Sequence, residues 1–249
     1  MTKPFSDDDY EHLGLHLLPG FLDSRIFVEL ATPPGGGPIR TLTERPAGRP
    51  MGRFQSAKAG FSLPWVDYVQ RDRYWFCEAS PDVAAYMAQP HRVTFRLPKK
   101  DRVFFPDLRI EWRTGKVRIE RLIPPRGVSD AEWESIAWAR AVYERRGWEF
   151  AVLHHRDVVG TIVAKNAVEV ASDAFTVVTV RDLDRAFAAM DRLGQSATYR
   201  AIIDAMGGPG LGRALVHALI MDGHLWIDLT KPLRRFSPVR LAATGRAGP

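Results

Sequence analysis

The stretch from Arg102 to His155 constrains the fold most, because its pattern changes from strand to helix and back. RVFFPDLRIEW (102–112) and KVRIERLI (116–123) read as strands, and Arg113-Thr114-Gly115 between them is a hairpin-type turn. SDAEWESIAWARAVYERRG (129–147) is a marked helix, with Ser129 and Glu132 spaced as a capping box and Gly147 as its stop. WEFAVLHH (148–155) follows as an apolar strand. A hairpin followed by a helical crossover to another strand predicts an α/β core on a mixed sheet. Upstream, WVDYVQRDRYWFC sets Val66, Val69, Tyr74 and Cys77 at helical spacing, which predicts a helix at about 64–78 that ends at Ser80-Pro81-Asp82. HRVTFRL (91–97) alternates as a further strand.

Residues on either side differ in character. Residues 1–60 are rich in Gly and Pro, as in PPGGGP (33–38) and RPAGRPMG (45–52), and predict an irregular basic arm. The α/β domain is expected over 61–172, with 160–175 as a connector. From 173 to 249, Leu183, Phe187, Met190 and Leu193 mark one helix, Tyr199, Ile202, Ile203 and Met206 a second, and Leu211, Leu215, Leu219 and Ile220 a third. HLWIDL (224–229), the turn TKPLRRF (230–236) and PVRL (238–241) then form a hairpin, and three short helices with a hairpin predict a winged helix.

Composition excludes some chemistry. With one cysteine, Cys77, a disulfide framework and four-cysteine zinc sites are out. No apolar run approaches the ~20 residues of a membrane span. The acidic opening MTKPFSDDDYEHLG is unlike a signal peptide, so a cytoplasmic protein without membrane partners is expected. A net charge of +6 permits nucleic acid without singling it out. Placement is more informative: Arg40, Arg45, Arg49, Arg53 and Lys58 cluster against the single acid Glu44.

The chemistry-bearing pattern is Pro106-Asp107 followed by Glu120. On paired strands these carboxylates can converge, and two of them suit Mg²⁺ in phosphodiester hydrolysis: hard oxygen ligands hold the ion, which activates water and neutralises charge on phosphate. Such sites usually carry a lysine two residues after the glutamate, on the same strand face. Alone, the pair is a short motif that structural residues also satisfy.

The surrounding order of motifs resembles the N-terminal domain of TnsA-like transposase endonuclease subunits. Gly52 to Lys58 matches that family's G-x-x-x-S-x-K, Pro81-Asp82-Val83 and Gln89-Pro90 match its next motifs, and Pro106-Asp107, Glu120 and Gly147-Trp148-Glu149-Phe150 complete the series. Asp228-Leu229 and Pro232-Leu233 fall where the family's second domain reads similarly, so the likeness covers about residues 45–241. The resemblance implies a restriction-endonuclease-like PD-(D/E)xK mixed sheet flanked by helices, then an α+β winged-helix domain. It also implies a DDE-type transposase subunit and an AAA+ regulator as partners, and Mg²⁺-dependent cutting of the 5′ strand at element ends. The match departs at the site itself. The family's helix glutamate falls on Gln70, its Glu-Ser pair on Val66-Asp67 and its catalytic lysine on Leu122; only Asp107 and Glu120 survive. The expectation is a pocket lacking a cation, with DNA contact and assembly retained and cleavage weak or absent. Two substitutions could restore it: Glu78, two turns after Gln70, as a replacement carboxylate, and Arg118 or Lys116 as a replacement cation. An active nuclease with a rearranged site and a noncatalytic winged-helix binding module are the other readings.

DNA contacts are expected from Arg49, Arg53 and Lys58 in the arm, Arg213 and His217 on the third C-terminal helix, and Lys231, Arg234 and Arg235 at the wing tip. Protein docking is the competing reading of that helix, which offers few polar residues to bases. His154-His155 point to opposite strand faces and Cys77 lies on an apolar helix, so both are read as structural.

Overall fold

A computed structural model describes residues 10–13, 27–40, 50–96, 101–194 and 197–242. The chain runs β1 (Tyr10–Leu13), β2 (Phe27–Ala31), β3 (Gly52–Gln55), β4 (Ser62–Trp65), α1 (Tyr68–Ala79), β5 (Val83–Ala88) and β6 (Arg92–Arg96). It continues through β7 (Arg102–Phe104), β8 (Leu108–Trp112), β9 (Val117–Ile123), α2 (Asp130–Arg145), β10 (Glu149–His154), α3 (His155–Val158) and α4 (Ile162–Ala171). It closes with α5 (Val180–Leu193), α6 (Tyr199–Ala205), α7 (Leu211–Met221), β11 (Leu225–Ile227) and β12 (Val239–Leu241).

This is a mixed α/β structure with open sheets and no barrel among the described residues. The central sheet has the order β10-β9-β8-β5, with β9 and β10 parallel and the other pairs antiparallel. The β8–β9 turn needs Gly115, which sits at φ +80°. On one sheet face Ile119, Ile123 and Phe150 pack against Ile136, Ala139, Val142 and Tyr143 of α2. On the other, Leu108, Ile110 and Leu122 meet Val69, Tyr74 and Cys77 of α1. Alternation along β9 therefore puts Glu120 on the α1 side with Leu122. Helices α4 to α7 form a third core with Leu225, Ile227 and Val239 of the final hairpin, and Trp75, Phe76 and Ala79 of α1 pack into it. Helix α1 thus joins the sheet to the helical unit.

Several expectations change. Residues 102–112 form two strands in two sheets: β7 pairs with β6, whereas β8 pairs with β5 and β9. Pro106 lies at the break, where it has no N–H to give a ladder. The expected arm contributes β2 to the sheet β1-β2-β6-β7, with Val28 and Leu30 buried, and β3 pairs with β4. Helix α1 begins later than expected because Ser62–Trp65 is a strand, and Asp67 caps the helix by accepting from Val69 N at 2.9 Å. The expected connector holds α4, capped by Thr161 and buried along Ala164, Ala167, Val170 and Ala171. Ser129 caps α2 as expected, but Glu132 turns to Arg121 instead of back to the cap. No described helix is long and apolar enough to cross a membrane.

Candidate functional site

Asp107 enters β8 beside Glu120: its N–H donates to the Glu120 carbonyl, and its own carbonyl accepts from Gln89 N, both at 2.9 Å. Both side chains are buried, at 4 % and 0 % exposure. The two segments pair as the sequence reading expected, which sets Asp107 beside Glu120; their burial beneath α1 was not part of that expectation.

What surrounds them differs from expectation. Asp107 Oδ1 accepts from Gln70 Nε2 at 2.8 Å, and Oδ2 accepts from Leu122 N at 2.7 Å and from an Arg121 guanidinium N–H at 2.5 Å. The Asp107 carboxylate thus takes the place of a backbone carbonyl for the next β9 amide and fastens the sheet at the point where β8 begins. Glu120 is held by a two-pronged Arg73 fork, at 2.6 and 2.7 Å. Arg73 also lies over the Phe76 ring, 4.1 Å from its centroid. Gln70 and Arg73 are one turn apart on α1, so a single helix face reaches both acids. Gln70 Oε1 accepts from Val66 N at 2.8 Å, which fixes the amide with its donor toward Asp107.

The pocket expected to lack a cation contains two guanidiniums. Burial works against the charge of Arg73, yet Glu120 overrides it and holds the guanidinium's pKa above the ordinary arginine value. Arg121 behaves likewise, with burial opposed by Asp107 and Glu132. Neither residue figured among the sequence-based candidates. The available signal was position: Arg121 directly follows Glu120, and Arg73 lies one turn from Gln70.

The proposed substitutes lie elsewhere. The Glu78 carboxylate, 1 % exposed, accepts from Ser56 Oγ at 2.7 Å, Tyr86 Oη at 2.8 Å, Ala57 N at 2.9 Å and Lys58 N at 3.1 Å. It pins the 56–58 turn to α1. Arg118 pairs with Glu149 at 2.9 Å, and Lys116 is exposed at the hairpin turn. The residues present do not fit Mg²⁺. Both oxygens of each acid already accept from donors, and Gln70 and Arg73 offer N–H groups where a metal needs lone pairs. Among the described residues no three His, Cys, Asp or Glu side chains are grouped to hold a metal.

The expected DNA-contacting residues divide between inside and outside. Arg49 lies outside the described residues. Arg53 is exposed on β3. Lys58 turns inward, donating to the carbonyls of Ser80 at 2.6 Å and Cys77 at 3.1 Å at the C-terminus of α1. Burial lowers its pKa to about 8, against the pull of Glu78. The expectation of a phosphate contact from Lys58 is corrected: its ammonium is occupied as a helix cap.

His217 is corrected more strongly. It is 0 % exposed, with Nδ1 2.6 Å from Asp173 Oδ2 and Nε2 bonded to the Tyr199 hydroxyl. A carboxylate only accepts, so Nδ1 carries the proton and Nε2 accepts from Tyr199. Burial lowers the His217 pKa, with Asp173 opposing. Gly212 and residues 215–221 of α7 are buried too, packed among α4, α6, β11 and α1, so this helix is a core element and not a major-groove reader. The cause is its composition, apolar on every side. Arg213 is half exposed, 4.0 Å from Asp173. In the segment between β11 and β12, Lys231, Arg234 and Arg235 are exposed; Lys231 lies 3.2 Å from Asp228. Cys77 is fully buried and its thiol is pushed up to about 12 by that burial, so it serves packing.

Compared with protein-family models and with curated proteins, the sequence matches none.

Proposed function

We propose that this chain is a noncatalytic, TnsA-like component of a DNA transposition machinery, built from a restriction-endonuclease-like domain and a winged-helix domain. The motif order from Gly52 to Phe150 supports the family reading. The single observation that carries the noncatalytic part is the ion-paired acid site: Asp107 and Glu120 keep the positions of metal ligands, but Gln70, Arg73 and Arg121 fill their oxygens. An ion pair of this kind balances charge without a metal and offers no base to a water molecule, since arginine stays protonated. On this reading the site holds α1 on the sheet, and the chain contributes DNA contact and docking to a DDE-type transposase and its AAA+ regulator. Because α7 is buried, DNA contact falls to exposed basic groups on phosphates, such as Arg53, Arg234 and Arg235, and carries little sequence preference.

The test is a plasmid-nicking assay with Mg²⁺ or Mn²⁺. No nicking is expected from the natural chain or from Asp107→Asn. Nicking by the natural chain that disappears in Asp107→Asn overturns the noncatalytic reading in favour of a rearranged nuclease.

A further inference from the structure

A second cleft lies away from the acids, between the β8–β9 turn and the final hairpin, and encloses about 750 Å³. That is the size range of sites for small ligands. One wall carries Trp112, Lys116 and Arg118; the other carries Trp226 and Arg240. Each indole lies under a guanidinium, Arg118 at 5.2 Å from the Trp112 ring centre and Arg240 at 3.8 Å from that of Trp226. Among the ionic lining groups, Arg113, Lys116, Arg118 and Arg240 outnumber Asp82 and Glu149. Glu149 is occupied by Arg118, whereas Lys116 and Arg240 have no carboxylate partner among the described residues.

The two walls are held at fixed spacing. Arg113 donates to the carbonyls of Pro81 at 2.8 Å and Met221 at 3.3 Å, and so bridges the sheet and the helical unit. Its guanidinium occupies the space that any side chain at position 223 would need, so Gly223 is what lets it through. Aromatic faces supplied from two distant hairpins, beside free cations in a preformed cleft, suit a ligand that is planar at one end and anionic at the other.

We propose that this cleft binds a nucleotide, with a base stacked on Trp226 or Trp112 and the phosphate met by Arg240 and Lys116. An incoming base replaces the exposed Arg240 guanidinium over the Trp226 indole and releases it toward the phosphate. The cleft is too small for a duplex, so within a nucleic acid it takes an unstacked nucleotide at a strand end or single-stranded flank. Stacking of this kind tolerates any base. The inference rests on the nucleic-acid reading above and names the form of ligand that reading requires.

The experiment titrates the full chain with labelled oligo-dT, with free thymidine monophosphate and with a duplex of random sequence. Trp226→Ala and the surface pair Lys116→Ala/Arg240→Ala are run beside the natural chain. Oligo-dT is expected to bind and to weaken roughly tenfold or more in either variant, with duplex binding unchanged. Saturable binding of the monophosphate that falls in the same variants assigns the cleft to free nucleotide instead of a strand. Absence of binding to both oligo-dT and the monophosphate overturns the proposal, as does equal binding by natural chain and the surface pair, which keeps the test open should Trp226→Ala not fold. Loss of duplex binding alone, with the oligo-dT pattern intact, counts against the transposition reading and leaves the cleft standing.

Discussion

The acid site under α1 and the cleft beside the final hairpin use arginine to opposite ends. Arg73 and Arg121 point inward and are ion-paired, Arg73 with Glu120 and Arg121 with Asp107 and Glu132. Arg240 on β12 and Arg234 and Arg235 in the preceding turn remain exposed. The difference teaches that a basic chain is no guide to nucleic-acid contact until each guanidinium is followed to its partner. In the first region charge is paired within the fold; in the second Lys116 and Arg240 are left exposed, which is what the nucleotide proposal draws on.

The largest effect expected from this contrast is on stability. Arg73→Met leaves Glu120 charged, buried and unpaired, and is expected to destabilise the chain by about 3–5 kcal/mol. Arg73→Met/Glu120→Leu removes both charges and is expected to recover most of that loss. Arg240→Ala, by comparison, loses only an exposed contact with the Trp226 ring and is expected to cost about 1 kcal/mol or less. Urea unfolding followed by circular dichroism measures all three. Equal losses in Arg73→Met and Arg240→Ala would erase the distinction between the regions.

The acids' place in the fold was legible from the sequence, but their partners were not. Alternation, the Gly115 turn and the Ser129 cap are local signals, and they locate β9, α2 and the end of β8 within a few residues, while running β7 and β8 together as one strand. From these, Asp107 and Glu120 follow as neighbours. Arg73 meets Glu120 across 47 residues of chain and Arg121 meets Asp107 across 14, and no local pattern records such pairings. Strand β5 escaped because VAAYMA carries little alternation and few β-branched residues. Helix α4 was concealed in the same way, its buried face being mostly alanine. The burial of α7 could have been read: Leu215, Val216, Ala218, Leu219, Ile220 and Met221 together surround the helix, the mark of a core element, and they outweigh one arginine and one histidine.

Helix α7 holds the same contrast within a single element, and gives the next effect in size. His217→Ala strands the Asp173 carboxylate and the Tyr199 hydroxyl and is expected to cost about 2–3 kcal/mol, whereas Arg213→Ala changes little. The pH dependence has a definite sign. The folded pKa of His217 lies below its unfolded value, so the unfolded chain takes up the proton more readily. The stability from this network is complete above about pH 6.5 and is lost as pH falls toward the folded value. His91, bonded to the Tyr143 hydroxyl, adds to the same trend, because burial first and then Arg109 and Arg146 bring its pKa down to about 3. Thermal melts between pH 7.5 and pH 5 are expected to show a Tm that falls with acid, and His217→Gln should reduce that fall without abolishing it. A slope unchanged in His217→Gln would remove this histidine from the acid response.

The smallest effect separates Lys58 from the turn before β12. Both were expected on phosphate, but Lys58 is turned inward whereas Arg234 and Arg235 are exposed. A phosphate contact shows in the salt dependence of affinity, each one contributing about 0.9 to the slope of log K against log salt. Arg234→Ala/Arg235→Ala is therefore expected to flatten the slope for duplex DNA by about 2. Lys58→Met is expected to leave that slope untouched. Its effect appears instead in unfolding, at about 1 kcal/mol or less, because the Lys58 ammonium meets the last carbonyls of α1 and balances the negative end of the helix dipole. Anisotropy titrations over a range of salt, paired with urea unfolding of the same samples, give both quantities. If Lys58→Met lowered the slope, the ammonium would have to leave the helix end to reach DNA, and the boundary between structural and available charge would run through α1 itself.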